Sequence, residues 1–410
     1  MNDSDGWTLL AEPAAVATRV RRAGEVTDAV GPRKFLHAGP PLEQGELTGP
    51  MRGAVLGALV LEGEAGDLRA AEELFDSGAV SLTPCHFAGA VGAMAGIISP
   101  SVPVVEVGGP DGRTAFAPLN EGLGEALRFG STSDRVLTRL RWMGDVLAPV
   151  LDDALTAVGG VDVVALQAEG LRRGDECHNR NVAGTAALLA RLAAAIAREA
   201  RDTKSAADVL DFLAGNPHTF LSFSMAAAKV TGDAAHAAGD RPGLVTAVCA
   251  NGRRMALRVT GVDGWITAPA PTGRPKMFPG FTAEDACPAM GDSFMTETIG
   301  LGAFGLTAAP AISSFIGGTH EEAVELVASM RRICRGSSKR FLVPSDGFAG
   351  TPVGIDVDLV CRTGITPIVN NGFAHRERGV GQVGAGLTRL PIEPFLKARA
   401  ALAPSAAPGT

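Results

Sequence analysis

Gly174-Asp-Glu-Cys-His-Asn-Arg-Asn181 is the stretch on which the reading of this chain turns. Seven of its eight residues can donate or accept a hydrogen bond or carry charge, in a chain otherwise rich in Ala, Gly and Val. Val182 to Ala197 follows, and its Ala and Leu content predicts a helix. The polar cluster therefore sits at a helix entrance, with Asn179 or Asn181 as the expected cap. Unpaired backbone N–H groups and the positive end of the helix dipole gather there, which suits an anion. The plain alternative is a solvated, well-capped helix start, since Asn favours caps in any case.

Working outward, the helical texture extends on both sides. Leu137, Leu140, Met143, Leu147, Val150, Ala154, Leu155 and Val158 recur at three- and four-residue spacings, with a bend expected at Pro149. Ser205 to Asp208 starts a short helix that Gly215-Asn-Pro217 stops, and His218 to Lys229 reads as another. On the N-terminal side, Leu68 to Gly78 and Ala54 to Leu61 read as helical windows. Val102 to Val107 and Thr114 to Leu119 read as strands. On the C-terminal side, Leu244 to Cys249 and Arg254 to Thr260 flank Asn251-Gly252, a type I′ hairpin signal. Val262 to Ala268, Arg340 to Val343 and Leu359 to Cys361 read as further strands, and helices are expected over Glu321 to Ile333 and Pro394 to Leu402. The fold class is α+β, with two mixed α/β units and a helical domain between them in sequence. The divisions are a tail over 1–22 with a short helix around Glu12 to Val20, an N-terminal α/β unit over 23–135, a helical domain over 136–238 and a C-terminal α+β unit over 239–410.

With 410 residues, 46% hydrophobic and 20% charged, the chain has the composition of a folded protein with a large core. Its net charge of −7 and lack of any Lys/Arg-rich run argue against nucleic acid or an anionic membrane as partner. The six Cys, at 85, 177, 249, 287, 334 and 361, are widely spaced with no C-x-x-C, which points to a reducing compartment. The acidic N-terminus has no signal-peptide pattern. Thr298 to Thr319 has 22 residues without a charge, but six interspersed Gly and Pro make it a packed core segment and not a membrane span. A cytoplasmic protein is expected.

Among the motifs, Gly379-Val-Gly-Gln-Val-Gly384 matches G-x-G-x-x-G literally, yet no long helix and acid-bearing strand can follow in the 26 residues that remain. A glycine loop whose amides face an anion stays open. No pair among His86, His178, His218 and His375 has metal-ligand spacing, so no metal is expected. Cys177 reads as a packing residue, because neighbours in a helix point about 100° apart and Cys177 and His178 would not meet. Planar hydrogen-bonding groups recur beside turns: His178 to Asn181, Asn216 to His218, Asn251 to Arg254 and Asn370 to His375. Such groups suit carboxylate, phosphate and amide. They are expected to converge on one anion site shared by the helical domain and the C-terminal unit. Asp292 and Glu297 stand just before the apolar run, where a partly buried acid or base is expected.

These residues carry a resemblance. His37-Ala-Gly-Pro-Pro41, Gly49 to Leu59, Pro84-Cys-His86, Met94 to Ser101, Asn120 to Gly124, Gly174 to Asn181, Asn216 to Lys229, Pro279 to Thr282, Gly291 to Thr298, Gly350 to Asp356 and the glycine run ending at Gly386 occur in the order found in the YlbE-like family. The likeness covers about Phe35 to Leu396. Members of that family resemble one subunit of oxamate carbamoyltransferase, the enzyme of allantoin breakdown that moves a carbamoyl group between oxamate and phosphate. The chain lacks the S-x-R-T phosphate motif of the better-known transcarbamylases.

The resemblance implies a subunit of a carbamoyltransferase-type enzyme acting on a small amide or ureido acid, with carbamoyl phosphate as co-substrate and no cofactor. It implies a hetero-oligomer with an acyl-CoA-synthetase-like subunit and a third subunit, while a homo-oligomer stays open. His178 or Glu176 would move the proton. Asn179, Arg180, Asn181, His86, His218, Asn251, Arg254, Asn371 and His375 would bind the small anionic substrate, and the backbone at Gly381 and Gly384 an oxyanion. A non-catalytic partner that completes another subunit's site, or a free-standing hydrolase or lyase of carbamoylated acids, are the alternatives.

Overall fold

The computed structural model describes residues 5–239, 241–315 and 318–403. One helix, Thr219–Ala238, organises it. Phe220, Phe223, Met225, Ala226, Ala227, Ala228 and Val230 are all buried, together with Ser222, Ser224 and Lys229, so residues 219–232 are covered on every side. It packs on strands Pro103–Gly108 and Thr114–Pro118 on one side. On another it meets Val245–Asn251 and helices Met295–Thr298, Val163–Arg172 and Val182–Glu199. The helix runs past the boundary expected after Lys229 because Gly232 lets it lie on the next strand. A Cβ there would meet Thr246 O at 2.3 Å.

The architecture is α+β. An antiparallel sheet has the order Thr114–Pro118, Pro103–Gly108, Val16–Arg22, Val161–Asp162. A second has the order Met290–Gly291, Val245–Asn251, Arg254–Val259, Ile266–Pro269, and a third the order Arg274–Met277, Gln382–Arg389, Ile368–Ala374. Lys34–His37 pairs in parallel with Ser81–Pro84, and Cys334–Val343 pairs with Ala349–Ile355. Among the described residues, no helix is long and apolar enough to cross a membrane.

Several local expectations change. Residues 16–22 are not a tail: Val16–Arg22 is an inner strand, preceded by a helix over Gly6–Ala11. Its arginines disguise it, and they are held in ion pairs, Arg19 with Asp152, Arg21 with Glu106 and Arg22 with Asp145. Leu359 to Cys361 lies in a helix, Val357–Thr363, because Asp356 caps it through Leu359 N–H (2.9 Å) and Gly364 ends it at φ 67°. Pro149 falls in the first turn of the helix Ala148–Ala157, which one wide π turn over Met143–Leu147 precedes. The 251–254 hairpin has positive φ at Gly252 and not at Asn251, so it is not the I′ turn. Asn251 Oδ1 instead accepts the N–H groups of Arg253 and Arg254. Within the uncharged run, 298–309 is buried, Pro310 and Ala311 are exposed, and residues 316 and 317 lie outside the described residues.

Candidate functional site

The 174–181 loop closes on Glu176. This carboxylate, 0% exposed, accepts N–H groups of His178 (2.6 Å), Asn179 (2.6 Å) and Arg180 (2.8 Å), and the Asn370 amide at 3.2 Å. Burial pushes its pKa up to about 7, against the pull of His178 and those donors. Cys177 is held at φ 60°, a left-handed conformation that costs a non-glycine residue about 1–3 kcal/mol. Its thiol is buried and pushed upward by burial, as a packing residue's would be.

The helix entrance is not free. Asp175 Oδ2 accepts Gly184 N–H (2.8 Å), so the chain's own carboxylate stands where an external anion was expected. Asn181 holds the cap position without a side-chain cap bond, and its amide donates to His178 O instead. Asn179 turns toward Asn370 Oδ1 (2.6 Å).

His178 forms the centre of the cluster. Its Nδ1 lies 2.9 and 3.1 Å from the two Glu297 oxygens. A carboxylate only accepts, so Nδ1 carries the proton and Nε2 is left for a reacting group. Burial alone would lower this imidazole, but Glu297 and then Glu176 outweigh it and raise the pKa. Glu297 also accepts Asn370 N–H (2.8 Å), Ala303 N–H (3.2 Å) and the Thr296 hydroxyl (3.0 Å). Gly302 must be glycine here, since a Cβ would sit 2.2 Å from Glu297 Oε1 and the residue has φ 58°. Both acids flagged in the sequence, Asp292 and Glu297, prove fully buried.

His218 stands near this pair. Burial first, then the charges of Arg128 and His178, hold it down to about 4. Arg128 is a residue the sequence reading missed. It stacks over Phe129 at 4.6 Å, gives Nη2 to Gly122 O (2.7 Å), and keeps Nη1 buried without a partner. Burial lowers it to about 10, still charged at neutral pH. Nothing in Leu127-Arg-Phe129 announces this, although Glu121, in the quoted Asn120 to Gly124 motif, accepts the Leu127 and Arg128 N–H groups. Arg180 is one-third exposed, with Nε 3.3 Å from Asp175.

Other expected residues lie elsewhere. Arg254 pairs with Glu46 at the surface, and Asn251 ties its own turn to Pro40 O (2.8 Å). His375 accepts Glu377 N–H at Nδ1 (3.0 Å) and lies 3.8 Å from Asp285. Asn371 is buried with its amide unpartnered, one residue out of phase with Asn370 in the same strand. Gly384 is paired with strands on both sides, to Met277 and Phe373, so it forms sheet and not an oxyanion loop. The Gly381 carbonyl accepts His375 N–H (2.9 Å). His86 belongs to a different cluster, with Asp292 and Cys249. A cavity of about 760 Å³ lies beside Arg274, Glu322 and Arg389, and none of the His178 cluster lines it.

The family model for oxamate carbamoyltransferase subunit AllG matches residues 80–293. The oxamate carbamoyltransferase subunit AllG of Escherichia coli (strain K12) is 44% identical over 378 residues, 91% of this chain and 90% of that protein. The chain belongs to the AllG family. A second Escherichia coli (strain K12) relative, uncharacterized protein YahG, is 39% identical over 92% of this chain and 80% of its own length. The crystal structure of a conserved protein of unknown function from Enterococcus faecalis V583 superposes with a TM-score of 0.94 at 40% identity, covering 97% of this chain and 96% of the other. In this AllG-family chain the matched region holds His86, the 174–181 loop, His218 and Asp292, while Glu297 and Asn370 lie beyond it.

Proposed function

We propose that this chain is a subunit of a carbamoyltransferase-type enzyme that exchanges a carbamoyl group between a small amide acid of the oxamate class and phosphate. The observation that carries this reading is the pairing of His178 with Glu297, which leaves one imidazole nitrogen free, near His218, which feels the charges of both His178 and the buried Arg128. In the synthetic direction the amide nitrogen of the acceptor attacks the carbonyl carbon of carbamoyl phosphate. A carbon–nitrogen bond forms, the carbon–oxygen bond to phosphate breaks, and the nitrogen gives up a proton. His178 Nε2 takes that proton, and Glu297 stabilises the imidazolium formed. Arg128 and Arg180 hold the acceptor carboxylate and the phosphate through charge-assisted bonds. Asn179 and Asn370 orient the amide, and Glu176 keeps the loop in shape.

His178, Glu176 and Glu297 are all 2% exposed or less in the isolated chain. Substrate must therefore enter through an opening motion or through rearrangement by other subunits. That burial also favours the second reading, a partner that completes another subunit's site. The test is phosphate-dependent release of oxamate from oxalurate, assayed with the chain alone and with the remaining subunits of its enzyme. The proposal expects turnover only in the assembly, lost with His178→Gln. Full turnover with His178→Gln would assign the chemistry to another subunit, and no turnover in any assembly would reject the reaction class.

A further inference from the structure

Four stretches whose residues make no contact within the His178 cluster are brought together by the fold. His37-Ala-Gly-Pro-Pro41, Pro84-Cys-His86, the strand carrying Cys249, and Gly291-Asp-Ser293 meet inside the molecule. His86, Cys249 and Asp292 each offer one ligand atom, a ring nitrogen, Sγ and a carboxylate oxygen, that all lie within 4.8 Å of one another, and all three residues are buried. Both ring nitrogens of His86 are buried and bond nothing, although its side chain is only 1% exposed. A buried polar atom without a partner carries a desolvation cost that native folds avoid unless something satisfies it. The His86 Nε2–Asp292 Oδ1 separation of 3.4 Å is long for a charged hydrogen bond. It matches the edge of a tetrahedron whose centre holds zinc, about 3.3–3.8 Å for Zn–N, Zn–O and Zn–S bonds of about 2.0–2.3 Å.

The surroundings behave as the supports of such a site. Each Asp292 oxygen accepts one backbone N–H, Gly39 to Oδ1 (2.7 Å) and Gly92 to Oδ2 (2.9 Å), which fixes the carboxylate and leaves lone pairs free. Gly39 clamps its loop on the strand carrying Cys249, since a Cβ there would sit 2.6 Å from Ala250 C. His37, two residues away, donates Nδ1–H to Ala38 O (2.8 Å), because a carbonyl only accepts. Its Nε2 therefore bears a lone pair, buried and unpartnered.

We propose that His86, Cys249 and Asp292 bind a divalent ion of the zinc class. Spacing along the chain predicted no metal because the donors come from three segments more than 40 residues apart. Thiolate, imidazole and carboxylate together select zinc and its substitute cobalt over magnesium or calcium. Binding displaces the Cys249 proton into solvent, with no change of oxidation state.

The test is titration of chelator-stripped protein with cobalt(II). One equivalent should bind and give a thiolate-to-cobalt charge-transfer band, and zinc should displace it. Cys249→Ser should abolish the band, His86→Gln should weaken binding at least tenfold, and Cys334→Ser, at a buried thiol outside the set, should leave it intact. His86→Gln keeps the test available if Cys249→Ser does not fold, because His86 bonds nothing in the metal-free chain. Wild-type protein that takes up no cobalt, or a band that survives Cys249→Ser, overturns the proposal.

Discussion

Among the described residues, two buried histidine–carboxylate pairs are carried by opposite ends of one segment, 290–298, and they are built differently. At one end Glu297 meets His178 at 2.9 Å and takes three further donors, so every lone pair is used. At the other end Asp292 faces His86 at 3.4 Å, and both imidazole nitrogens stay unpartnered. Charge also separates them. Glu297 raises His178, whereas burial lowers His86, Asp292 offsets part of that, and Lys229 and Arg258 lower it further. A saturated pair poises a proton. An unsaturated one, rigidly supported, waits for an electrophile.

Breaking the saturated pair should have the largest effect. Glu297→Ala strands a buried imidazole and two backbone N–H groups, and should cost about 3–5 kcal/mol in denaturant unfolding. Arg180→Ala should lower activity of the assembled enzyme about 10–100-fold, by loss of a charge-assisted bond, with the unfolding midpoint nearly unchanged. Equal loss in stability would make Arg180 a support for the Asp175 helix cap instead.

His218 gives a pH signature to the same cluster. Its folded pKa of about 4 lies below the ordinary 6.5, so the folded chain binds fewer protons than the unfolded one between those values. Its contribution is complete above pH 6.5 and is lost as pH falls through 4. Unfolding free energy followed against pH should lose about 1–3 kcal/mol more in wild type than in His218→Asn over that window. The smallest effect belongs to the unsaturated pair. In metal-free protein His86→Leu should change stability by less than about 1 kcal/mol, because only the long 3.4 Å contact with Asp292 is lost and an orphaned polar group is removed. A loss near that of Glu297→Ala would make the two pairs equivalent and dissolve the contrast.

Most of the fold was legible where periodicity was strong, as in the 136–158 pattern, the Ala-rich helix after Asn181 and the 245–259 hairpin. It was not legible where tertiary pairing overrode local appearance. Val16–Arg22 reads as a charged tail until Asp152, Glu106 and Asp145 are brought to its arginines. The 174–181 loop was identified as central from composition, but its internal wiring was not, since Asp175 and not an asparagine caps the helix. Asn216, Asn251 and His375 each brace their own turn, and the two asparagines also tie it to a distant backbone carbonyl, Asn120 O and Pro40 O. Arg128 escaped notice because an isolated arginine between Leu127 and Phe129 acquires meaning only when burial leaves one of its nitrogens unpaired.

The central claim is that His178 moves the proton in carbamoyl transfer. Steady-state kinetics of the assembled enzyme with His178→Gln, in preparations whose subunit composition matches wild type, tests it most directly. The expected result is a fall in kcat of about 10²–10⁴-fold with KM little changed, the range for loss of a general acid or base. A variant with kcat within twofold of wild type would contradict the claim.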